Sequence, residues 1–374
     1  MDQLGQCRTT NAPLDHMLNY YQTVNLHTAA GQVAHTSIFV IYTGGTIGMD
    51  YQEGSKHLAP FNFEQIIDKV PELKRFDFEL TVLSFYRLID SSDVKIHNWL
   101  NIARIIYDFY NDYDAFVVLH GTDTMAYSAS AVSFLLRNLS KPVVFTGAQL
   151  PIGVPRTDAR ENFITALEIA SARTAEGKAI VPEVCIFFDQ FLLRGNRARK
   201  VQSENFTAFE SENCPPLAVA GINIDYNTSQ ILPPGLGDFD FYTKMDNNVA
   251  LLKLFPGMPK RYIKHFFGMP GLRGVVMETF GSGNTPTDDW FMGAIKDALS
   301  AGILIYNVSQ CNGGSVVHGM YESSKQLDDL GVVSGGDITP EAAMTKLMFL
   351  LGNETDPQLI RHHLSVPLRG EMTK

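Results

Sequence analysis

Cysteine is scarce: only Cys7, Cys185, Cys214 and Cys311 occur in 374 residues, far apart and with no CxxC pair. That spacing argues against a disulfide framework and for reduced thiols. Long apolar runs are absent too, none approaching the ~20 residues that span a bilayer, so no membrane partner is expected. Positive charge is in deficit, with 30 Lys plus Arg against 40 Asp plus Glu and a formal net charge of −10. The chain lacks the basic footprint that a phosphate backbone demands, which excludes nucleic acid as a partner. Ten histidines include no HxH and no HExxH, and His362 and His363 are merely adjacent, so no metal site is expected. GxGxxG, GxxxxGK[ST] and GxSxG are all missing, which leaves nucleotide loops and a serine elbow without support. The first 35 residues, polar and mixed, do not have the pattern of a secretory leader.

What is present is ordinary for a globular protein: 45% hydrophobic and 19% charged residues, in a length suited to two domains or one large one. Short, almost continuously apolar runs predict strands buried on both faces at Ser37 to Tyr42, Ala115 to Leu119, Pro142 to Phe145, Val184 to Phe188, Val249 to Leu254, Gly274 to Met277 and Ile303 to Val308. Helical periodicity fills stretches between them, as at Trp99 to Tyr110 and at Met125, Ala129, Val132 and Leu136. The alternation predicts an α/β fold: a larger N-terminal domain with a doubly wound, mainly parallel sheet, and a smaller C-terminal α/β domain. Residues 223–248, rich in Asn, Asp, Gly and Pro, read as an interdomain linker. The expected organisation is an extension over 1–36, domains over 37–222 and 249–374, and no repeats.

The chemistry is concentrated where these strands end. Ile41 and Tyr42 lead into Thr43-Gly44-Gly45-Thr46-Ile47-Gly48, Leu119 into His120-Gly121-Thr122-Asp123-Thr124, and Phe145 into Thr146-Gly147-Ala148-Gln149. Met277 leads into Glu278-Thr279-Phe280-Gly281-Ser282-Gly283-Asn284, and Val308 into Ser309-Gln310-Cys311. Ligands bind beyond the carboxyl ends of open parallel strands, so these segments are expected to converge on one crevice. Taken singly, each is equally a simple turn. Together they offer hydroxyls beside a carboxylate, which suits nucleophilic chemistry: Thr46 to attack, and Thr122 beside Asp123 to pass a proton to a lysine that spacing alone does not name. Backbone N–H groups of the two threonine turns are the expected oxyanion donors.

At these residues the sequence resembles a known family. TGGTIGM at Thr43 to Met49 and HGTDTMAYSASA at His120 to Ala131 look like the two signatures of the L-asparaginase/glutaminase family of threonine amidohydrolases. The DSSD of Asp90 to Asp93, the RGNR of Arg194 to Arg197 and DITPEAAMTKL from Asp337 resemble its cytoplasmic type I branch. The likeness extends from about Ser37 to Thr373. It implies hydrolysis of L-asparagine, with L-glutamine as the neighbouring candidate, through an acyl-threonine intermediate without cofactor. It further implies a cytoplasmic homodimer or homotetramer. By position, Thr46 is similar to the nucleophile, and Thr122, Asp123 and Lys200 to the second catalytic cluster; without the resemblance Lys200 reads as a surface lysine. Asp123 is similar to the residue that takes the substrate α-ammonium, Ser91 and the neighbouring backbone to the carboxylate cradle, and Ser92 to a further polar contact, with Asp90 among the implied substrate-binding residues. Gly45, Gly121 and Ala148 line the implied pocket, and Asn284 resembles a residue that reaches a neighbouring subunit's site. Asp90 to Asp93 also reads as a helix N-cap box before Trp99, and Asn284 as a left-handed residue in a glycine turn.

Two departures from the family pattern stand out. The tyrosine expected in a Gly-Tyr context after TGGTIG is missing from Asp50 to Leu58, leaving Tyr321 in Gly319-Met320-Tyr321, or Tyr51, as the assisting tyrosine. An arginine at the effector site of some bacterial type I enzymes is replaced by Glu278, near Thr279 and Cys311, so weak or absent cooperativity is expected there. The competing readings are the amidohydrolase subunit of a tRNA-dependent amidotransferase, whose additional N-terminal barrel 36 residues are too short to form, and a silent amino-acid sensor.

Overall fold

A computed structural model describes residues 21–27, 35–51, 58–60, 66–317, 319 and 322–373. The larger sheet is built from β1 (Tyr21–His27), β2 (Thr36–Tyr42), β3 (Phe78–Phe85), β4 (Ala115–Leu119), β5 (Val143–Thr146), β6 (Val184–Phe188) and β7 (Phe191–Arg194). Two short strands, β8 (Arg199–Lys200) and β9 (Phe209–Glu210), pair only with each other, and β10 (Ala218–Ala220) and β11 (Ile224–Tyr226) complete the larger sheet. Its order is β1-β3-β2-β4-β5-β6-β7-β10-β11. From β3 to β6 all pairings are parallel, while β1 on one side and β7, β10 and β11 on the other are added antiparallel.

The apolar runs are continuous because both sheet faces are covered, and alternate residues go to opposite faces. Phe39, Ile41, Phe116 and Val118 face helices α1 (Ile96–Asp108) and α2 (Met125–Leu135), while Ile38, Val40, Val117 and Leu119 face α3 (Ala159–Ser171). The smaller sheet is wholly parallel, ordered β12 (Val249–Lys253), β13 (Gly274–Thr279), β14 (Leu304–Ser309) and β15 (Val333–Ser334). One of its faces packs on α4 (Lys260–Phe267) and α5 (Asp289–Ser300). The other packs on α6 (Pro340–Asn353), which also lies against α2 and so joins the two lobes in one apolar cluster. α6 starts where the sequence provides for it: Pro340 at N1 follows Thr339, whose Oγ1 accepts from Ala342 N at 3.2 Å.

Three local expectations are corrected. α1 begins at Ile96, not Trp99: Asn98 Oδ1 accepts from Lys95 N at 2.8 Å, and Asp90 caps the separate short turn Ser91–Asp93. The polar stretch 223–248 contains β11, which hydrogen-bonds to the edge of the larger sheet, and a two-residue strand Asp240–Phe241 paired with Leu136–Arg137. Asn284 is not left-handed; that conformation falls on its neighbours Gly281 (φ 51) and Gly283 (φ 107).

Candidate active site

The strand ends do converge, and glycine is the reason they fit. β2 runs into Thr43, whose N–H and hydroxyl both donate to Leu119 O, at 3.0 and 2.9 Å, fixing this loop to the end of β4. Gly44 (φ 139) and Gly45 (φ 91) then turn the chain through conformations that other residues rarely adopt. A Cβ on Gly44 would stand 2.3 Å from Ile89 O, and one on Gly45 would stand 2.6 Å from Gly121 N. On Gly121 it would meet Ser91 Oγ at 2.6 Å, and on Gly147 His120 O at 2.4 Å. Four loops, those of Thr43–Thr46, Ile89–Ser92, His120–Asp123 and Gly147–Gln149, therefore touch backbone to backbone. Thr46, half-buried, opens the short helical turn Thr46–Gly48 immediately after this contact.

Across the Gly121 contact lies the polar cluster. Lys200 Nζ donates to Thr122 Oγ1 and to Asp123 Oδ1, both at 2.7 Å. Lys200 is mostly buried, its side chain 15% exposed, whereas the Asp123 side chain is 67% exposed. Asp123 Oδ2 has no hydrogen-bond partner among the described residues, so one carboxylate oxygen is fixed by the lysine and the other faces outward. Thr122 Oγ1 in turn lies 3.4 Å from Gln149 Oε1, toward which it donates. Gln149 Nε2 donates to the carbonyls of Ser203 and Asn205 at 3.2 and 3.0 Å, which ties the β5 end to the loop after Lys200.

The Asp90–Ser92 loop closes a further side. Asp90 Oδ1 accepts from both the N–H and the hydroxyl of Ser92, at 2.9 and 2.8 Å, and these bonds hold its carboxyl below the usual range. Ser91 is buried beneath Gly121, and its carbonyl accepts from Thr124 Oγ1 at 2.7 Å. Below the site His120 is fully buried, its Nδ1 2.7 Å from Gly121 O and its Nε2 2.9 Å from Ser128 Oγ. Trp99 Nε1 donates to the same hydroxyl at 2.9 Å.

Of the residues expected from sequence, Gly45, Ser91, Gly121, Thr122, Asp123 and Lys200 are joined by these contacts; Thr46 follows Gly45 in the chain, and Asp90 and Ser92 flank Ser91. The Ala148 methyl belongs to the apolar cluster beneath the loops. Asn284 is carried by the smaller lobe on a turn where its backbone and that of Phe280 exchange hydrogen bonds at 2.8 and 3.0 Å. Tyr321 lies outside the described residues, and Tyr51 is described only as part of the short strand Met49–Tyr51. Gln149 and His120 were passed over as site residues; their signal was their place in the strand-end motifs.

Two parallel-sheet lobes joined through a helix pair, with hydroxyls, a carboxylate and an ammonium at the carboxyl ends of the larger sheet, define an α/β protein equipped for acyl transfer. Residues 37–232 match the family described as Asparaginase, N-terminal, and residues 248–364 the Glutaminase/Asparaginase C-terminal domain. The chain is 38% identical over 338 residues to L-asparaginase 1 of Escherichia coli K12, covering 90% of this chain and 98% of that protein. It is 40% identical over 364 residues to the 60 kDa lysophospholipase of Mus musculus, covering 90% of this chain and 62% of that longer protein. L-asparaginase I of Vibrio cholerae superposes with a TM-score of 0.82 at 36% identity, covering 91% of this chain and all of that one. The chain belongs to the asparaginase family.

Proposed function

We propose that this protein is an L-asparagine amidohydrolase, releasing L-aspartate and ammonia through an acyl-enzyme on Thr46. The observation that carries the reading is that Lys200 Nζ lies 2.7 Å from both Thr122 Oγ1 and Asp123 Oδ1, whose loop packs at Gly121 against Gly45, the residue before Thr46. The Thr46 hydroxyl attacks the side-chain amide carbon, the C–N bond breaks, and the nitrogen leaves as ammonia carrying the proton the hydroxyl gave up. Water then cleaves the acyl ester, returning Thr46 and freeing aspartate. The Thr122–Lys200 pair moves protons during these steps, because a threonine hydroxyl is a weak nucleophile without a nearby base. Backbone N–H groups of the Thr46 and Thr122 turns stabilise the oxyanion.

Substrate charge follows the same geometry. The outward oxygen of Asp123 takes the α-ammonium, and the Ser91 and Ser92 loop takes the α-carboxylate, so both charges are compensated as the amide is held against the nucleophile. Tyr321 is the proposed assisting tyrosine, ahead of Tyr51. Asn284 completes the site of a neighbouring subunit in a homodimer or homotetramer. The protein acts in the cytoplasm; among the described residues no helix is long and apolar enough to cross a membrane.

A coupled ammonia assay with L-asparagine and L-glutamine tests the reading on the wild type and three variants. Thr46→Ala and Lys200→Met are expected to lose nearly all turnover, and Tyr321→Phe a measurable part of it. An active Thr46→Ala removes the proposed nucleophile.

A further inference from the structure

Lys200 stands on weak local support. Its strand β8 is two residues long and pairs only with β9, outside the main sheet, and so short a ladder does not hold a side chain to the tolerance that proton transfer requires. The chain enters β8 through Arg194-Gly195-Asn196-Arg197-Ala198, and the long side chains of that run are turned inward and buried.

Arg194 pairs with Glu183 at 2.6 Å and Asn196 Nδ2 donates to Ser133 Oγ at 3.1 Å, but further partners of Asn196 and Arg197 come from far along the sequence, in the segment 369–373. Asn196 Nδ2 donates to Arg369 O at 3.0 Å, and Arg197 Nε donates to Gly370 O at 2.9 Å. Arg197 also pairs with Asp337 Oδ2 at 3.0 Å and donates to Thr373 Oγ1 at 3.2 Å. The Thr373 hydroxyl donates onward to Asp337 Oδ2 at 2.5 Å, and its N–H donates to Asp337 Oδ1 at 2.7 Å. The segment is itself anchored, since Glu371 pairs with Lys346 of α6 at 2.6 Å with neither side chain exposed. Glu371 also accepts from the N–H groups of Leu368 and Arg369. Arg199, next to Lys200, is held by Glu341 of α6 at 3.2 Å.

We infer that residues 369–373 form a strap that positions Lys200: by gripping Asn196 and Arg197 against Asp337, they fix the approach of β8 to Thr122. Arg197 and Thr373 are thus positioning residues that touch no reacting atom. The inference rests on the amidohydrolase reading given above, and it places control of the lysine in the smaller lobe.

The test measures kcat, KM and the pH profile of kcat for L-asparagine with the full chain. Arg197→Lys keeps the charge but cannot reach Gly370, Asp337 and Thr373 at once, and is expected to lower kcat by about tenfold or more. Thr373→Val is expected to lower it about three- to tenfold, and Thr373→Ser, which keeps the bridging hydroxyl, to stay within about twofold of wild type. In Arg197→Lys and Thr373→Val the loss falls on kcat and KM stays within about twofold, because the loops that carry Asp123 and Ser91 are held at Gly44, Gly45 and Gly121 and not by the strap, while the pH profile of kcat changes in these two variants and not in Thr373→Ser. On a Lys200→Met background, Thr373→Val is expected to add no further loss to the residual rate. The strap is overturned if wild type is active and Thr373→Val and Arg197→Lys match it. It is equally overturned if their losses follow only the unfolded fraction seen by circular dichroism, or persist undiminished on the Lys200→Met background. A wild type that releases no ammonia instead sinks the amidohydrolase reading, and the strap with it.

Discussion

His120 has no room for a charge. Burial lowers its pKa from 6.5 to about 4, and its two ring nitrogens are already committed to Gly121 O and Ser128 Oγ. In the unfolded chain the same imidazole titrates normally, so between those values the unfolded state binds more protons than the folded one. The stabilising contribution is therefore complete above about pH 6.5 and is lost as pH falls toward 4, amounting to about 3 kcal/mol over the window. Denaturant unfolding at pH 7 and pH 5 should show this slope, and His120→Gln should flatten it; an unchanged slope in the variant would assign it to other groups. Gly45 makes a sharper demand at the same scale. With φ 91 and Gly121 N 2.6 Å from any Cβ, Gly45→Ala must both strain its backbone and push the two threonine loops apart. The strain alone costs about 1–3 kcal/mol. The separation should lower kcat by about tenfold or more, beyond anything the loss of folded protein accounts for.

At the scale of elements, α6 carries the ion pair that joins the strap to the smaller lobe. Removing one partner, as in Lys346→Met, leaves the Glu371 carboxylate buried without its cation, which should cost about 3–5 kcal/mol at neutral pH. A lone buried carboxyl protonates more readily than an exposed one, so the deficit against wild type should shrink as pH is lowered. Urea midpoints at two pH values measure both effects, and a deficit independent of pH would rule out the carboxylate as its cause. None of this pairing is legible in the sequence, because Lys346 and Glu371 acquire meaning only once Asn353 has ended the helix and the chain has folded back. Six of the seven apolar strands are legible because burial on both faces leaves an unbroken run; the seventh, β12, does not meet that expectation, being an edge strand in which only Leu252 of five residues is buried. β3, reading FELTVLSF, escaped since Glu79, Thr81 and Ser84 interrupt its apolar residues, although six of its eight positions are buried. The end positions follow backbone pairing more than hydropathy, which is why Thr279 and Ser309 belong to strands whose apolar runs stop before them. Thr46, Thr122 and Asp123 announced themselves by glycines at strand ends. Lys200 was recognisable only through the resemblance, because its partner Thr122 is 78 positions away and its strand has no pattern of its own.

Across the whole molecule, the two lobes meet with their charges already paired, and this bears on whether a second amino acid can bind between them. Glu278, next to last in β13, is 5% exposed and pairs with the largely exposed Lys253, whose Nζ lies 3.5 Å away. Arg199, the guanidinium contributed by the larger lobe, is occupied by Glu341 at 3.2 Å and by Asn312 Oδ1 at 2.8 Å. Burial, followed by the charges of Glu341 and Glu278, pushes the Tyr127 hydroxyl up to about 12 in the same region. The α-carboxylate of a second asparagine would enter against Glu278, with Arg199 already committed to Glu341 and Asn312, and a buried like charge opposes its binding. Cooperativity requires a ligand that distinguishes two states of the molecule from a second site, and this junction disfavours such a ligand in either state. Initial rate against asparagine concentration should therefore follow a hyperbola with a Hill coefficient of about 1. A reproducibly sigmoidal curve at fixed protein concentration would place an effector carboxylate beside Glu278 after all, and would require Arg199 to leave Glu341 to receive it.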